Sequence, residues 1–388
     1  MRKKYILLVI TVLIMCIFMN ACRSSNKKEI SLLEENQSFW NDQPKMFTKG
    51  NNGYYYTCDN KLMYMDGQDG DYYPVCGKAE CEHNSEMCDA FLDDTFMSQS
   101  IWYYNENIYL LKYNKYEKTV MLIKVNKDGT ERKELCVIAK TNVQRNGEYG
   151  FVFHDNYAYM YSVLGQPTLQ TDGKTAITKI SLSDGKMEDI YSVEANKNQI
   201  TSLKCYADKL MFVVVKRKQE GDKIVCETSE IYSYDCSDGK LEKFLNEPVC
   251  DYSLDMQSNT LYYYKLGDGL YKKELHSGKV TQIYQSEENT YMCQISFDGK
   301  NVYMTNQRMD TLGLFYQCYV WIISPEGEQV NKLAVSSTFF GDDQYLFAIS
   351  NEEEITDKKI VALKKDNIRS VKDEDWIVLG NYFNLKMK

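Results

Sequence analysis

From about residue 46 onward, apolar and polar positions fall into short runs separated by turns rich in Gly, Asn, Asp and Ser. A Tyr-rich strand recurs: GYYYTC at Gly53, NIYLLKY at Asn107, YAYMYSV at Tyr157, KLMFVVV at Lys209, TLYYYKL at Thr260, NVYMTNQ at Asn301 and QYLFAIS at Gln344. Each follows a short polar turn such as Asn51-Asn52-Gly53 or Asp155-Asn156. A second strand comes after each one: KLMYMDG, VMLIKVN, AITKISL, SEIYSYD, GLYKKEL, YVWIISP and KIVALKK. In these the apolar residues alternate with polar ones, as on a half-buried sheet. A tight turn and a third strand close the unit. The turns carry Gly70, Gly129, Gly185, Gly239, Gly278 and Gly327, with Lys365-Asp366-Asn367 as the seventh. Asp-Gly and Ser-Gly at such places favour hairpins, because glycine accepts the positive φ that a tight turn needs.

Seven units of about 40 to 60 residues, each a small antiparallel sheet, predict a β-propeller. The fold class is therefore all-β: one domain over residues 46–388, with no room for a second. An open solenoid would need polar caps at both ends, and the sequence shows none. Ring closure is expected to draw one blade from both termini, with Ser38 to Phe47 or Trp376 to Phe383 supplying the strand. Composition agrees with this reading: 32 tyrosines against 5 prolines in 388 residues favour strands. The net charge of −9 argues against a nucleic-acid partner, which would ask for a basic face.

The first residues belong to another pattern. Arg2-Lys3-Lys4 precede fifteen uncharged residues, Tyr5 to Met19. That run is short for a membrane span and has the order of an export signal. Met19-Asn20-Ala21-Cys22 then resembles a bacterial lipobox, although Met19 and Asn20 depart from the preferred Leu and Ser or Ala. Residues 1–21 are thus expected to be a lipoprotein signal peptide. Cys22 would be the lipidated new N-terminus, and residues 22–45 a polar tether. Loss of Arg2, Lys3 and Lys4 leaves the mature chain three charges more acidic. Attachment to the outer side of the cell membrane would then rest on the lipid and not on a basic patch.

One segment stands out for its chemistry. Between Pro74 and Ala90 the sequence PVCGKAECEHNSEMCDA places Cys76, Cys81, His83 and Cys88 within thirteen residues. Three thiols and an imidazole match a Cys₃His zinc site, since both ligand types suit a tetrahedral borderline-soft ion. The first ligand pair is separated by four residues, then one, then four; a disulfide with a spare thiol and reduced thiols packed in a loop stay open as readings. All three make the segment a structural staple on an insertion of the first unit. Once Cys16 has left with the signal and Cys22 carries lipid, eleven of the 13 cysteines remain. An odd number without regular spacing is not a disulfide framework.

With these residues in view, the chain resembles a group of propeller lipoproteins from anaerobic Gram-positive gut bacteria. Their repeats are similar to the receptor-related or tricorn-type propeller and are described as a domain of unknown function. The likeness rests on the Tyr-rich repeat and on the segment Cys76-x4-Cys81-x-His83-x4-Cys88-x-Ala90. It implies a propeller and an extracytoplasmic place, and no established reaction.

Other catalytic patterns find little footing. The sequence has no Gly-x-Ser-x-Gly elbow, Walker loop or Gly-x-Gly-x-x-Gly. His154 and His276 fall at turns and read as solvated surface residues. Tyrosine runs such as Tyr54-Tyr55-Tyr56 and Tyr262-Tyr263-Tyr264 read mainly as packing between blades. The expected function is a monomeric ligand-binding or scaffolding module for a protein or carbohydrate. The alternative is a propeller hydrolase or lyase acting on extracellular glycans.

Overall fold

The structure is a computed structural model. It describes residues 46–142, 149–162, 173–220, 223–245, 247–265, 267–285, 293–306, 318–335, 339–352, 354 and 357–382. The expected signal peptide, Cys22 and the expected tether lie outside the described residues. Seven four-stranded antiparallel sheets follow one another along the chain. Blade 1 contains β1 (Phe47–Lys49), β2 (Gly53–Cys58), β3 (Lys61–Asp66) and β4 (Tyr72–Pro74). Blade 2 contains β5 (Phe96–Tyr104), β6 (Asn107–Asn114), β7 (Thr119–Asn126) and β8 (Lys133–Lys140). In blade 3 these are β9 (Tyr149–His154), β10 (Tyr157–Ser162), β11 (Lys174–Ser181) and β12 (Met187–Glu194). Blade 4 has the longest strands, in β13 (Asn198–Tyr206), β14 (Lys209–Glu220), β15 (Lys223–Asp235) and β16 (Leu241–Leu245). Blade 5 is β17 (Asp251–Asp255), β18 (Thr260–Lys265), β19 (Gly269–Glu274) and β20 (Val280–Gln285). Blade 6 is β21 (Cys293–Phe297), β22 (Val302–Asn306), β23 (Cys318–Ile323) and β24 (Gln329–Val335). Blade 7 is β25 (Phe339–Gly341), β26 (Tyr345–Ile349), β27 (Lys359–Lys364) and β28 (Trp376–Asn381).

The three-strand unit read from the sequence is thus one strand short. The Tyr-rich strand is the second of its blade, and an inner strand precedes the polar turn each time. Being sandwiched between two strands and two neighbouring blades, the second strand is buried on both faces; β2 and β26 are buried at every position. That explains runs of tyrosine where alternation would otherwise be expected.

The buried apolar residues form seven clusters, each joining two adjacent blades. Seven blades in an open row would share six seams. The seventh joins Met46, Phe47, Tyr54, Tyr56 and Met65 of the first blade to Tyr345, Phe347, Ile349, Ile360 and Leu379 of the last. The ring is therefore closed. Successive tyrosines serve opposite seams: Tyr54 and Tyr56 face blade 7, whereas Tyr55 faces blade 2. In the same way Tyr262 and Tyr264 face blade 6 while Tyr263 faces blade 4.

Among the described residues, closure does not use a blade drawn from both termini. Phe47 opens the innermost strand of blade 1, and Trp376–Asn381 is the outermost strand of its own blade. The expected strand exchange is corrected; side chains replace it. Phe47 stacks on Phe347 with ring centroids 4.5 Å apart. Asp342, whose side chain is fully buried, accepts from the Tyr54 hydroxyl at 2.8 Å and from Lys49 Nζ at 2.5 Å. Backbone N–H groups of Gln344 and Tyr345 fill its other oxygen at 2.9 Å each.

The six turn glycines have φ between 72° and 95°. Several also press against the outer strand of the preceding blade, so the residue that makes the hairpin also fits the seam. A Cβ on Gly185 would lie 2.5 Å from the Leu135 carbonyl, and one on Gly327 2.5 Å from that of Ile283. The seventh turn differs from expectation. Lys365–Asn367 is a 3-10 turn, and a second one, Asp373–Asp375, intervenes before β28.

Candidate metal centre

The cysteine-rich segment follows β4, the outermost strand of blade 1, and both of its ends are tied to β3. On one side the Val75 N–H donates to the Leu62 carbonyl at 2.9 Å. On the other, Leu62 N–H donates to Ala90 O and Leu92 N–H to Asn60 O, each at 2.8 Å. Residues 76–89 are therefore a loop whose two roots are neighbours on one strand. Glu80 and His83 hold φ of 59° and 54°, a region that non-glycine residues seldom enter. These two left-handed residues fold the loop back on itself.

The result is that one donor atom from each of Cys76, Cys81, His83 and Cys88 lies within 4.8 Å of all the others. A tetrahedral zinc ion with bonds of about 2.3 Å to sulfur would hold its sulfurs about 3.8 Å apart, so a small contraction completes the site. His83 Nδ1 is 3.2 Å from Cys88 Sγ. The Ala90 N–H points at the same sulfur at 3.3 Å, a contact that favours a thiolate. Burial pushes the Cys88 thiol up to about 11. Burial also opposes ionisation of Cys76, but the backbone at Lys78 and Asp89 and the neighbouring thiols outweigh it and hold Cys76 below the usual thiol range. A divalent cation would supply the charge that lets all three sulfurs ionise. Three thiolates leave such a centre with a net negative charge. Lys78, paired with Asp89 at 2.9 Å, and Arg132 are the nearby cations.

Arg132 is the supporting residue that sequence reasoning missed. Its guanidinium donates to the carbonyls of Asp89 and Phe91, the latter at 2.7 Å, and lies 5.5 Å from the Phe96 ring. It belongs to blade 2, more than 40 residues from the loop, so no local pattern could reveal it. Gly129 completes the dock: its φ is +86°, and a Cβ there would stand 2.6 Å from the Val75 carbonyl and 3.2 Å from that of Asp89. Gly129→Ala is expected to cost about 1–3 kcal/mol and to loosen the loop. Gly278→Ala, with the same sign of φ but no atom within 4 Å, should show the smaller cost and leave the loop unchanged. Limited proteolysis between residues 76 and 89 with thermal midpoints compares the two. Equal behaviour would contradict this docking.

The other two histidines are separate from the cluster. His276 is exposed, as expected for a hairpin turn. His154 is not: it is 4% exposed, at the end of β9. The surface assignment is corrected: the turn that follows is exposed, but the His154 ring itself is buried beside Asp208 of blade 4. Its Nε2 lies 3.3 Å from Asp208 Oδ1 and 3.7 Å from Asp155 Oδ2, and its Nδ1 is buried without a partner. The pair bridges blades 3 and 4, and the second ring nitrogen is closed off from solvent.

The remaining cysteines follow the expected packing role where their side chains are described. Cys58 and Cys205 are buried in seams, and Cys136 and Cys236 pack against their edges. No sulfur–sulfur bond joins Cys76, Cys81 and Cys88 in this structure; a disulfide is the alternative to the metal.

No protein-family model matches the chain, and no curated protein matches its sequence. Solved structures match its shape. A structure from a study of two prolyl endopeptidases aligns with TM-score 0.55 at 12% identity, over 91% of this chain and 52% of that one. The chain thus spans about half the length of that protein. The β-propeller domain of the trilobed protease from Pyrococcus furiosus aligns with TM-score 0.47 at 13% identity, over 87% and 97% of the two chains. An oligogalacturonate lyase in complex with manganese aligns with TM-score 0.46 at 10% identity, over 68% and 72%. At these identities the likeness is one of fold: the chain is a β-propeller.

Proposed function

We propose that the chain is an exported propeller, lipid-anchored through Cys22 on the outer side of the cell membrane, that binds a protein or carbohydrate ligand or scaffolds an assembly. In this reading Cys76, Cys81, His83 and Cys88 hold a structural zinc ion. The family resemblance to propeller lipoproteins of anaerobic Gram-positive bacteria supports the location, and the closed ring supports a rigid platform.

The observation that favours binding over catalysis is where the histidines and tyrosines are used. His83 belongs to the metal cluster, His154 is locked in a seam, and His276 is a solvated turn residue. The largest fully buried side chains are one tryptophan and eleven tyrosines, and their rings fill seams. The zinc centre lies on the outer edge, beside β4, where it staples a loop. Hydrolysis or lysis of extracellular glycans is the alternative.

The test uses the mature chain from residue 23 in soluble form, applied to glycan and peptide arrays. Saturable binding to one class without product is the expected result. New reducing ends or unsaturated sugar products would favour the enzyme. In cells, Cys22→Ala is expected to lose lipid labelling and detergent partitioning; unchanged partitioning would overturn the anchor.

A further inference from the structure

The three thiols of the metal centre differ in their access to solvent. Cys76 and Cys81 are half-buried, whereas Cys88 is 3% exposed and its sulfur is already engaged by His83 Nδ1 and the Ala90 N–H. All the sulfurs lie within 4.8 Å of one another, and the loop roots at Val75 and Ala90 are pinned to β3. A disulfide needs a sulfur–sulfur bond of about 2.0 Å and Cα atoms about 4.4–6.8 Å apart. Residues 77–80 form an exposed bend between Cys76 and Cys81, tied to the other limb through the flexible Lys78 side chain, which reaches the Met87 carbonyl at 2.6 Å and Asp89 at 2.9 Å, so this pair can close by a local movement. Cys88 would have to leave its buried place.

We infer that the centre is gated by oxidation: a peroxide joins Cys76 to Cys81 and the metal is released. This rests on the zinc reading above and extends it to regulation. The Cys76 thiolate attacks one peroxide oxygen; a sulfur–oxygen bond forms, the oxygen–oxygen bond breaks and hydroxide leaves. The Cys81 thiolate then attacks the sulfenic sulfur, forming the sulfur–sulfur bond and expelling a second hydroxide. Two electrons pass from the two sulfurs to the peroxide, and two solvent protons turn the hydroxides into water. His83 and Cys88 alone do not complete a tetrahedral site, so Zn²⁺ departs as the free ion. The staple changes from a metal to a covalent link within one limb of the loop. The tie between the limbs, which Cys88 and His83 made through the ion, is lost.

The experiment starts from full mature protein purified without oxygen and analysed for zinc. Hydrogen peroxide is added, released zinc is followed with a chromogenic chelator, and thiols are blocked for peptide mapping. Lys78 separates Cys76 from Cys81, while Glu82 and Glu86 separate Cys81 from Cys88, so trypsin with a glutamate-specific protease assigns the pair. The expected result is loss of about one zinc per chain, a Cys76–Cys81 cross-link, and an alkylatable Cys88. Reductant with zinc should restore the starting state. In Cys81→Ser the cross-link at Cys76 is expected to be lost. Zinc retained under peroxide, or a cross-link that uses Cys88, overturns the inference while leaving the zinc reading intact. Protein without zinc before peroxide overturns both.

Discussion

Truncation after Val335, which removes β25–β28, is expected to yield a chain that aggregates and does not melt cooperatively. Two seams lose their partner at once. On blade 6, Tyr303, Val320, Ile322 and Leu333 are uncovered; on blade 1, Phe47, Tyr54, Tyr56 and Met65 are uncovered. Fully burying a large apolar side chain stabilises by about 1.5–3 kcal/mol, so eight of them amount to about 12–24 kcal/mol. That matches or exceeds the whole stability of a typical domain, about 5–15 kcal/mol. An open array would respond differently, losing one terminal seam and keeping the rest. Size-exclusion chromatography and a thermal scan decide it: a soluble monomer with an unchanged transition would contradict the closed ring.

The second large effect is expected from one carboxylate. Asp342 gathers Lys49, Tyr54 and two backbone N–H groups where the last blade meets the first. Asp342→Ala would remove the 2.8 Å acceptor of the Tyr54 hydroxyl, in a ring with no exposed surface, and leave it the longer contact to Gln344 Oε1 at 3.4 Å. Lys49, 15% exposed at its side chain, would keep the exposed Asp343 at 3.2 Å as its carboxylate partner. Breaking a buried pair costs about 3–5 kcal/mol, and the partial exposure of Lys49 places this case near the lower end, about 3 kcal/mol. Asp343, 53% exposed at its side chain, is the control. Asp343→Ala should cost under about 1 kcal/mol, as exposed pairs do. Denaturant unfolding of the two variants tests this, and equal losses would remove Asp342 from the account of closure.

Much of the ring was legible because its pattern is local. A glycine between two alternating strands reports a positive φ, and Gly70, Gly129, Gly185, Gly239, Gly278 and Gly327 all have one. The inner strands were missed because they are short and mixed in character: β1 reads FTK and β17 reads DYSLD. Their signal lay in the polar turns, since a turn needs a strand on both sides. The closing arrangement was misjudged because a strand exchange was expected where a buried Asp342 and a stack of aromatic rings suffice. No local pattern tells an aspartate in a turn that caps its own backbone from one that also reaches another blade. His154 was misplaced for a related reason, since its ring is buried beside Asp208 of another blade, far away in sequence. At the metal centre the ligand types were readable from composition and spacing. Their convergence depends on backbone choices at Glu80 and His83 and on the distant Arg132 and Gly129.

In the proposed centre, four side chains of one loop hold a metal that staples this loop and not the ring. Hydrogen exchange of the oxygen-free mature protein, before and after a strong chelator, tests it most directly. The account predicts about one zinc per chain at the start. After chelation, exchange should rise across residues 74–90 while β2, β6 and β26 keep their protection, because the seven seams do not include the metal. A protein without bound metal, or one whose residues 74–90 exchange identically with and without chelator, would contradict it.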